Sequence, residues 1–259
     1  MPNHDTRSLA VFCDFENVAL GVREARYAQF DMNKVLERLL AKGSIVVKKA
    51  YCDWERYKEF KTVMHSAAFE LIEIPHVRQS GKNSADIRMV VDALDLCYTK
   101  AHVDTFVIVS GDSDFSPLVS KLRENAKTVI GVGVKNSSSD LLIANCDEFI
   151  YYDDLVRQDE QKRRAAKRRK EAAPAAEDKK QEAFDQIIGT LDALIAERGA
   201  EEKIWGSMVK QALKRRNPGF NESYYGFRAF SDLLEEAEKK GLIRLEPDEK
   251  SGGYVVLPA

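Results

Sequence analysis

From Leu9 to Asp154 short apolar runs alternate with stretches whose apolar residues recur at helical spacing. LAVFCDF (Leu9 to Phe15) has strand character, and FDMNKVLERLLAKG (Phe30 to Gly43) reads as a helix with Asp31 as N-cap and Gly43 as stop. SIVVKKAYCD is then a strand, ERYKEFKTVMHSAAF a helix, and ELIEIP a strand. SADIRMVVDALDLCYTK is a helix opened by Ser84, with apolar positions at Ile87, Val90, Val91, Leu94 and Leu96. TFVIVSG, SPLVSKLRENA, TVIGVGV, SSDLLIANC and EFIYYDD continue the alternation. Strands apolar on both faces, separated by helices, predict a parallel sheet covered on both sides. Ligands of such sheets bind outside the carboxyl ends of the strands, near the switch in strand order.

The pattern breaks near Arg157. RQDEQKRRAAKRRKEAAPAAEDKKQ lacks large aliphatic and aromatic residues and carries the basic run Lys162, Arg163, Arg164, Lys167, Arg168, Arg169 and Lys170. It reads as a tether, helical in part, that cannot bury a core, a solvated spacer and compatibly a nonspecific contact for phosphates. Amphipathic periodicity returns in FDQIIGTLDALIAERG. IWGSMVKQALKRRNPGF gives a short element and a helix capped by Ser207, and NESYYGFRAFSDLLEEAEKKG a third helix ending at Gly241. The runs LIRLEP and GGYVVLP close the chain as two short strands, the order of a winged helix-turn-helix. The expected division is 1–156 for the α/β domain, 157–181 for the charged linker and 182–259 for the small α+β domain.

Length and composition add exclusions. A chain of 259 residues with 44% hydrophobic and 32% charged residues and net charge −2 suits a folded protein. No stretch reaches signal-peptide or membrane-span character, so a cytoplasmic location is expected. Cys13, Cys52, Cys97 and Cys146 stand in apolar runs without CxxC spacing, which argues for buried thiols rather than a zinc site or disulfides.

On this map the acids fall at related places. Asp14 ends the first strand, Asp112 and Asp114 follow the fourth, and Asp86 lies in the first turn of the intervening helix. If the strands at Leu9 and Thr105 are neighbours, Asp14 and Asp112 face each other at one edge. Each Asp also suits a turn or an N-cap, where its side chain accepts from free backbone N–H groups. Several carboxylates at one point either raise a pKa or require a cation, and oxygen donors without His or Cys favour Mg2+ or Mn2+. Such an ion suits phosphodiester hydrolysis. Asp92, six positions after Asp86 and so rotated by about 600°, faces away from it. Glu16 is not counted as a ligand, and His65 and His76 have no partner at metal spacing. Ser110 and Ser113 either bond a phosphate or support the loop, and Lys82 either approaches a scissile phosphate or is a solvated loop lysine.

The segments VFCDFENV, KNSADIRMVVDAL and VSGDSDFSPLVSKLRENAKTVIGVG resemble the NYN domain, the LabA-like branch of the PIN-like nuclease superfamily, over about the first 155 residues. The resemblance implies a metal-dependent ribonuclease fold. In it Asp14, Asp86 and Asp112 match metal-binding acids and Asp114 a frequent fourth. Asn17 matches the asparagine of the first motif, to orient a water or phosphate, against its plainer reading as a cap. WGSMVKQALKRRNPGFNESYYGFRAFSDLLEEAEKKGLIRLE is similar to the OST-HTH or LOTUS domain, a winged helix that binds RNA or docks proteins. Lys210, Lys214, Arg215 and Arg216 make a basic edge for phosphates, and Tyr224, Tyr225 and Arg228, at the start of the third helix, are candidates for base contact. Phe227, Phe230, Leu233 and Leu234 have core spacing.

A haloacid-dehalogenase phosphatase also places an Asp after strand one and a GDS turn later. That chemistry wants an Asp two residues after the first, where Glu16 stands, and four after Asp112, where Ser116 stands. The expectation is therefore a Mg2+- or Mn2+-dependent ribonuclease with RNA as partner. The alternative is a weak or inactive RNA-binding adaptor, with a protein partner possible at the winged helix.

Overall fold

The computed structural model describes residues 7–27, 30–74, 84–160, 178–199, 202–248 and 253–259, and the chain divides into two compact units. The first is built on a six-stranded sheet of order β3-β2-β1-β4-β5-β6. Its strands are β1 (Arg7–Asp14), β2 (Gly43–Cys52), β3 (Glu70–Glu73), β4 (Thr105–Val109), β5 (Thr128–Gly133) and β6 (Glu148–Tyr151). The pairings β1–β4, β2–β3, β4–β5 and β5–β6 are parallel. β1 and β4 run side by side in the register Leu9↔Thr105 to Cys13↔Val109, so the order reverses at the central pair and their ends share one edge.

The interposed helices are α1 (Phe15–Glu24), α2 (Met32–Lys42), α3 (Lys58–Ser66), α4 (Ser84–Thr99), α5 (Ser116–Glu124) and α6 (Asp140–Asn145), with α7 over 152–160. The apolar spacing had not indicated α1 or α7. β1 stops at Asp14 because that residue caps α1, and the next, Phe15, is packed among Trp54, Phe60 and Tyr57 at ring separations of 5.1, 5.1 and 5.7 Å. Burying one such ring is worth about 1.5–3 kcal/mol, which holds the strand-to-helix corner in place. Asp31 caps α2 through Asn33 N at 3.0 Å, as its position predicts.

α4 departs from the expected pattern. Met89, Ala93 and Cys97 carry its buried face, while Ile87 and Val91 are 63% and 56% exposed. Asp92 does turn away from Asp86. It accepts from Tyr51 Oη at 2.9 Å and Arg88 Nε at 3.1 Å and lies 3.5 Å from Lys49 Nζ, which ties α4 to β2. All four cysteines are free thiols, and Cys13, Cys52 and Cys97 are buried.

In the second unit, α8 (Asp178–Arg198), α9 (Gly206–Arg216) and α10 (Phe230–Lys239) precede an antiparallel hairpin of β7 (Ile243–Asp248) and β8 (Gly253–Pro258). Phe184, Ile187, Leu191 and Leu194 of α8 meet Leu213, Leu233, Leu234 and Val256 in one core. The linker expected over 157–181 is helical at both described ends, in α7 and in the first turn of α8, while 161–177, with the basic run, lie outside the described residues. Trp205, not Ser207, is the N-cap of α9, and its backbone bridges to Val255. The third helix does not begin at Asn221. Glu222–Tyr225 form a 3-10 turn, Gly226 takes φ 87°, a left-handed conformation that suits glycine, and α10 starts only at Phe230.

One glycine locks the loop after β4. The Gly111 N–H donates to Asn17 Oδ1 at 2.8 Å and its carbonyl accepts from Ser139 N at 2.9 Å. A Cβ there would lie 2.3 Å from the Ser137 carbonyl oxygen and 2.9 Å from Ser138 Cα, both backbone atoms. We expect Gly111→Ala to lower stability by about 1–3 kcal/mol in denaturant unfolding, because neither chain can yield without breaking these bonds. Unaltered stability would show the loop to be loose.

Candidate active site

The parallel pairing of β1 and β4 sets Asp14 beside Ser110, each one position past the last paired residues, Cys13 and Val109. Ser110 Oγ donates to Asp14 Oδ2 at 3.0 Å, a contact removed from solvent, and accepts from Asp112 N at 3.2 Å. Asp14 Oδ1 accepts from Asn17 N at 3.4 Å as the α1 cap, and Asp112 Oδ1 accepts from Asp114 N at 2.9 Å as the cap of the following 3-10 turn. The two capping Asp residues are thus also the acids at the strand ends. Asp86 stands in the first turn of α4, half-buried, and Asp114 is exposed.

These charges act on one another. Burial pushes the Asp14 carboxyl up to about 7, with the charges of Asp86 and then Asp112 adding to the rise and the Asn17 and Ser110 bonds opposing it. Burial also lifts Asp86 to about 6, helped by Asp112, Asp114 and Glu16. Glu16 itself pairs with Arg56 at 3.1 Å on the surface. The donors are all oxygens, the set that suits a hard divalent ion. Among the described residues, no three His, Cys, Asp or Glu side chains stand at ligating spacing, so these carboxylates are neighbours that have not closed on one point.

Asn17 spends its Oδ1 on Gly111 N and so couples the two strand ends, a role beyond the capping one. Ser110 is the residue that sequence reasoning undervalued. Its position one residue beyond an all-apolar strand, opposite an acid, was the available signal. Lys82 and His76 lie outside the described residues, and His65 is exposed on α3.

In the second unit the expected basic and aromatic set divides. Lys214 and Arg228 are exposed and line one polar cavity of about 440 Å³ with Asn221 and Ser223. Lys210 is paired with Glu222 at 2.6 Å, Arg216 donates to the Gly189 carbonyl at 2.8 Å, and Arg215 is engaged in interactions of its own. Tyr224 is 63% exposed, whereas Tyr225 is 7% exposed, stacked on Phe220 and bonded through its hydroxyl to Gln186 at 3.2 Å. Tyr225 is therefore a core residue and offers no ring face to a base. Its place in the sequence suggests a helix-start residue, but the Gly226 turn folds it inward.

A six-stranded parallel sheet with helices between its strands and acids gathered at the central strand ends is the architecture of a PIN-like domain. The model of the NYN domain family matches residues 8–153, and the chain belongs to that family. The family includes nucleases. Among relatives, an uncharacterized protein of Methanocaldococcus jannaschii is 29% identical over 112 residues, 43% of this chain and 43% of that one. The Meiosis regulator and mRNA stability factor 1 of Xenopus tropicalis is 26% identical over 148 residues, 57% of this chain and 9% of that one. The chain thus spans less than half the length of these curated relatives. The crystal structure of a Vibrio parahaemolyticus protein of unknown function aligns at TM-score 0.53 and 28% identity, over 60% of this chain and 98% of that one. Among the described residues no helix is long and apolar enough to cross a membrane.

The raised acids give a pH dependence of known sign. A carboxyl whose pKa is higher folded than unfolded contributes stability that is full below about pH 4 and is lost as pH rises through its folded value. For Asp14 that window runs from about 4 to about 7. With chelator present, the melting temperature of Asp14→Asn relative to the native chain is expected to climb between about pH 4 and 7 and to level off above. A difference independent of pH would show that Asp14 is not held protonated.

Proposed function

We propose that the protein is a metal-dependent ribonuclease whose first unit hydrolyses RNA phosphodiester bonds and whose second unit, resembling an OST-HTH or LOTUS winged helix, positions the RNA. The observation that carries this reading is the placing of Asp14 and Asp112 at the paired ends of the central strands of an NYN-family sheet, joined through Ser110, where burial and neighbouring charge hold the Asp14 and Asp86 carboxyls above the usual range. Crowded, partly buried carboxylates are stabilised by a divalent cation, and their oxygen-only donors fit Mg2+ or Mn2+. Asp14, Asp86 and Asp112, which do not stand at ligating spacing as they are, would have to draw together to hold the ion, with Asp114 as a fourth at the rim. When bound, that ion supplies positive charge against the phosphodiester and favours an attacking water.

The chain's own groups do the rest. Ser110 holds Asp14 in place from the neighbouring strand, and Asn17, with its Oδ1 fixed on Gly111, turns its NH2 end to a phosphate oxygen. Lys214 and Arg228, on their common polar cavity, attract the phosphate backbone, and Tyr224 offers a ring on which an unpaired base stacks. The name of the Xenopus relative, an mRNA stability factor, agrees with RNA as the substrate.

Asp112→Asn is the cleanest test, because an amide keeps the cap on Asp114 N and removes the charge. Single-stranded RNA incubated with the native chain and Mg2+ or Mn2+ is expected to be cut, and the variant to be slower by about a hundredfold or more. RNA binding without cleavage by either protein would instead make the chain an RNA-binding adaptor.

A further inference from the structure

We infer that the groove between α4 and α5 is a nucleoside subsite, which takes the base and ribose of an unpaired nucleotide beside the phosphate held at the acids. The inference rests on the ribonuclease reading and assigns a place to one part of its substrate. The groove holds about 700 Å³, and its walls include Ile87, Val91, Pro117 and Leu141. That volume lies within the ~300–1,000 Å³ range of small-ligand sites.

Three observations select the occupant. Ile87, Val91 and Leu141 are 63%, 56% and 58% exposed, on α4 and α6, so large aliphatic groups face water in a patch where helix spacing alone would have buried them. Asp86 and Asp114 line the same groove, which makes it continuous with the candidate active site and hostile to a bare anion. A neutral base can settle there while its phosphate lies toward the acids. Ser116, only 6% exposed, also lines the groove, and its Oγ is the one buried side-chain polar atom among the described residues without a hydrogen-bond partner. Buried hydroxyls are nearly always bonded, and a change of side-chain rotamer would turn this one, closed off from solvent as it stands, toward the groove. An apolar protein face would cover the aliphatic wall yet leave Ser116 unsatisfied. A nucleoside brings both an apolar face and polar edges.

The test is photocrosslinking of the full chain, in Mn2+, to a short single-stranded RNA carrying 4-thiouridine, with the crosslinked peptides mapped by mass spectrometry. Crosslinks are expected in 84–99 and 116–141. Val91→Glu, at an exposed position that leaves the core intact, is expected to reduce them by about tenfold or more. Ser116→Ala is expected to reduce them several-fold while the protein keeps or gains thermal stability, since it deletes an unpartnered hydroxyl. Crosslinks confined to other segments, or undiminished in Val91→Glu, would overturn the subsite. So would sedimentation showing a native dimer that Val91→Glu dissociates, which would give the groove to a second copy. Cleavage is scored in the same reactions. Its absence from the native protein removes the nuclease reading, whereas the crosslink positions decide the subsite whether or not the RNA is cut.

Discussion

The buried carboxylate of Asp14 is the constraint on which the sheet edge depends. It sits at 7% exposure at the end of the central strand, where its ionisation is opposed by burial and by the neighbouring acids. Such a group persists only where other contacts fix it, and here they do. Phe15 is buried in an aromatic nest one residue later, Ser110 donates from the adjacent strand, and Asn17 N completes the cap. The residues that hold Asp14 also set the loop carrying Asp112, because Ser110 Oγ accepts from Asp112 N and Asn17 Oδ1 accepts from Gly111 N across the strand ends. Fold and candidate chemistry are therefore one network rather than a scaffold with a site placed on it.

Much of this was legible in the sequence. Apolar runs of strand length separated by amphipathic helices predicted the parallel sheet, and the acids lay at strand ends and a helix start, the positions that topology brings together. The conditional pairing of the strands at Leu9 and Thr105 is the register observed. What escaped has physical reasons. α1 follows its strand without a linker and includes Gly21, so its periodicity merges with the strand. Helical spacing says which residues share a face and not whether anything covers it, so Ile87 and Val91 were read as ordinary apolar positions although they face water. Tyr225 looked like a helix-start residue until the left-handed Gly226 turned its ring into the core.

The local question of whether the Asp residues cap turns or serve a site has a double answer in the geometry. Asp14 and Asp112 both cap, each through one oxygen, while the second oxygen of Asp14 accepts from Ser110 Oγ across the strand pair. Capping orients the carboxylates, while the strain among them gives the orientation a use. Asp114 does no capping and stands exposed, which fits a rim position better than a central one.

Calorimetric titration with Mn2+ near pH 6.5, in buffers of differing ionisation heat, bears most directly on a cation-held acidic centre. With Asp14 near 7 and Asp86 near 6, an ion that binds these carboxylates must displace protons. Binding accompanied by release of roughly half a proton or more is expected, with both affinity and release reduced in Asp14→Asn. No binding at millimolar Mn2+, or binding without proton release, would contradict a cation held by these acids.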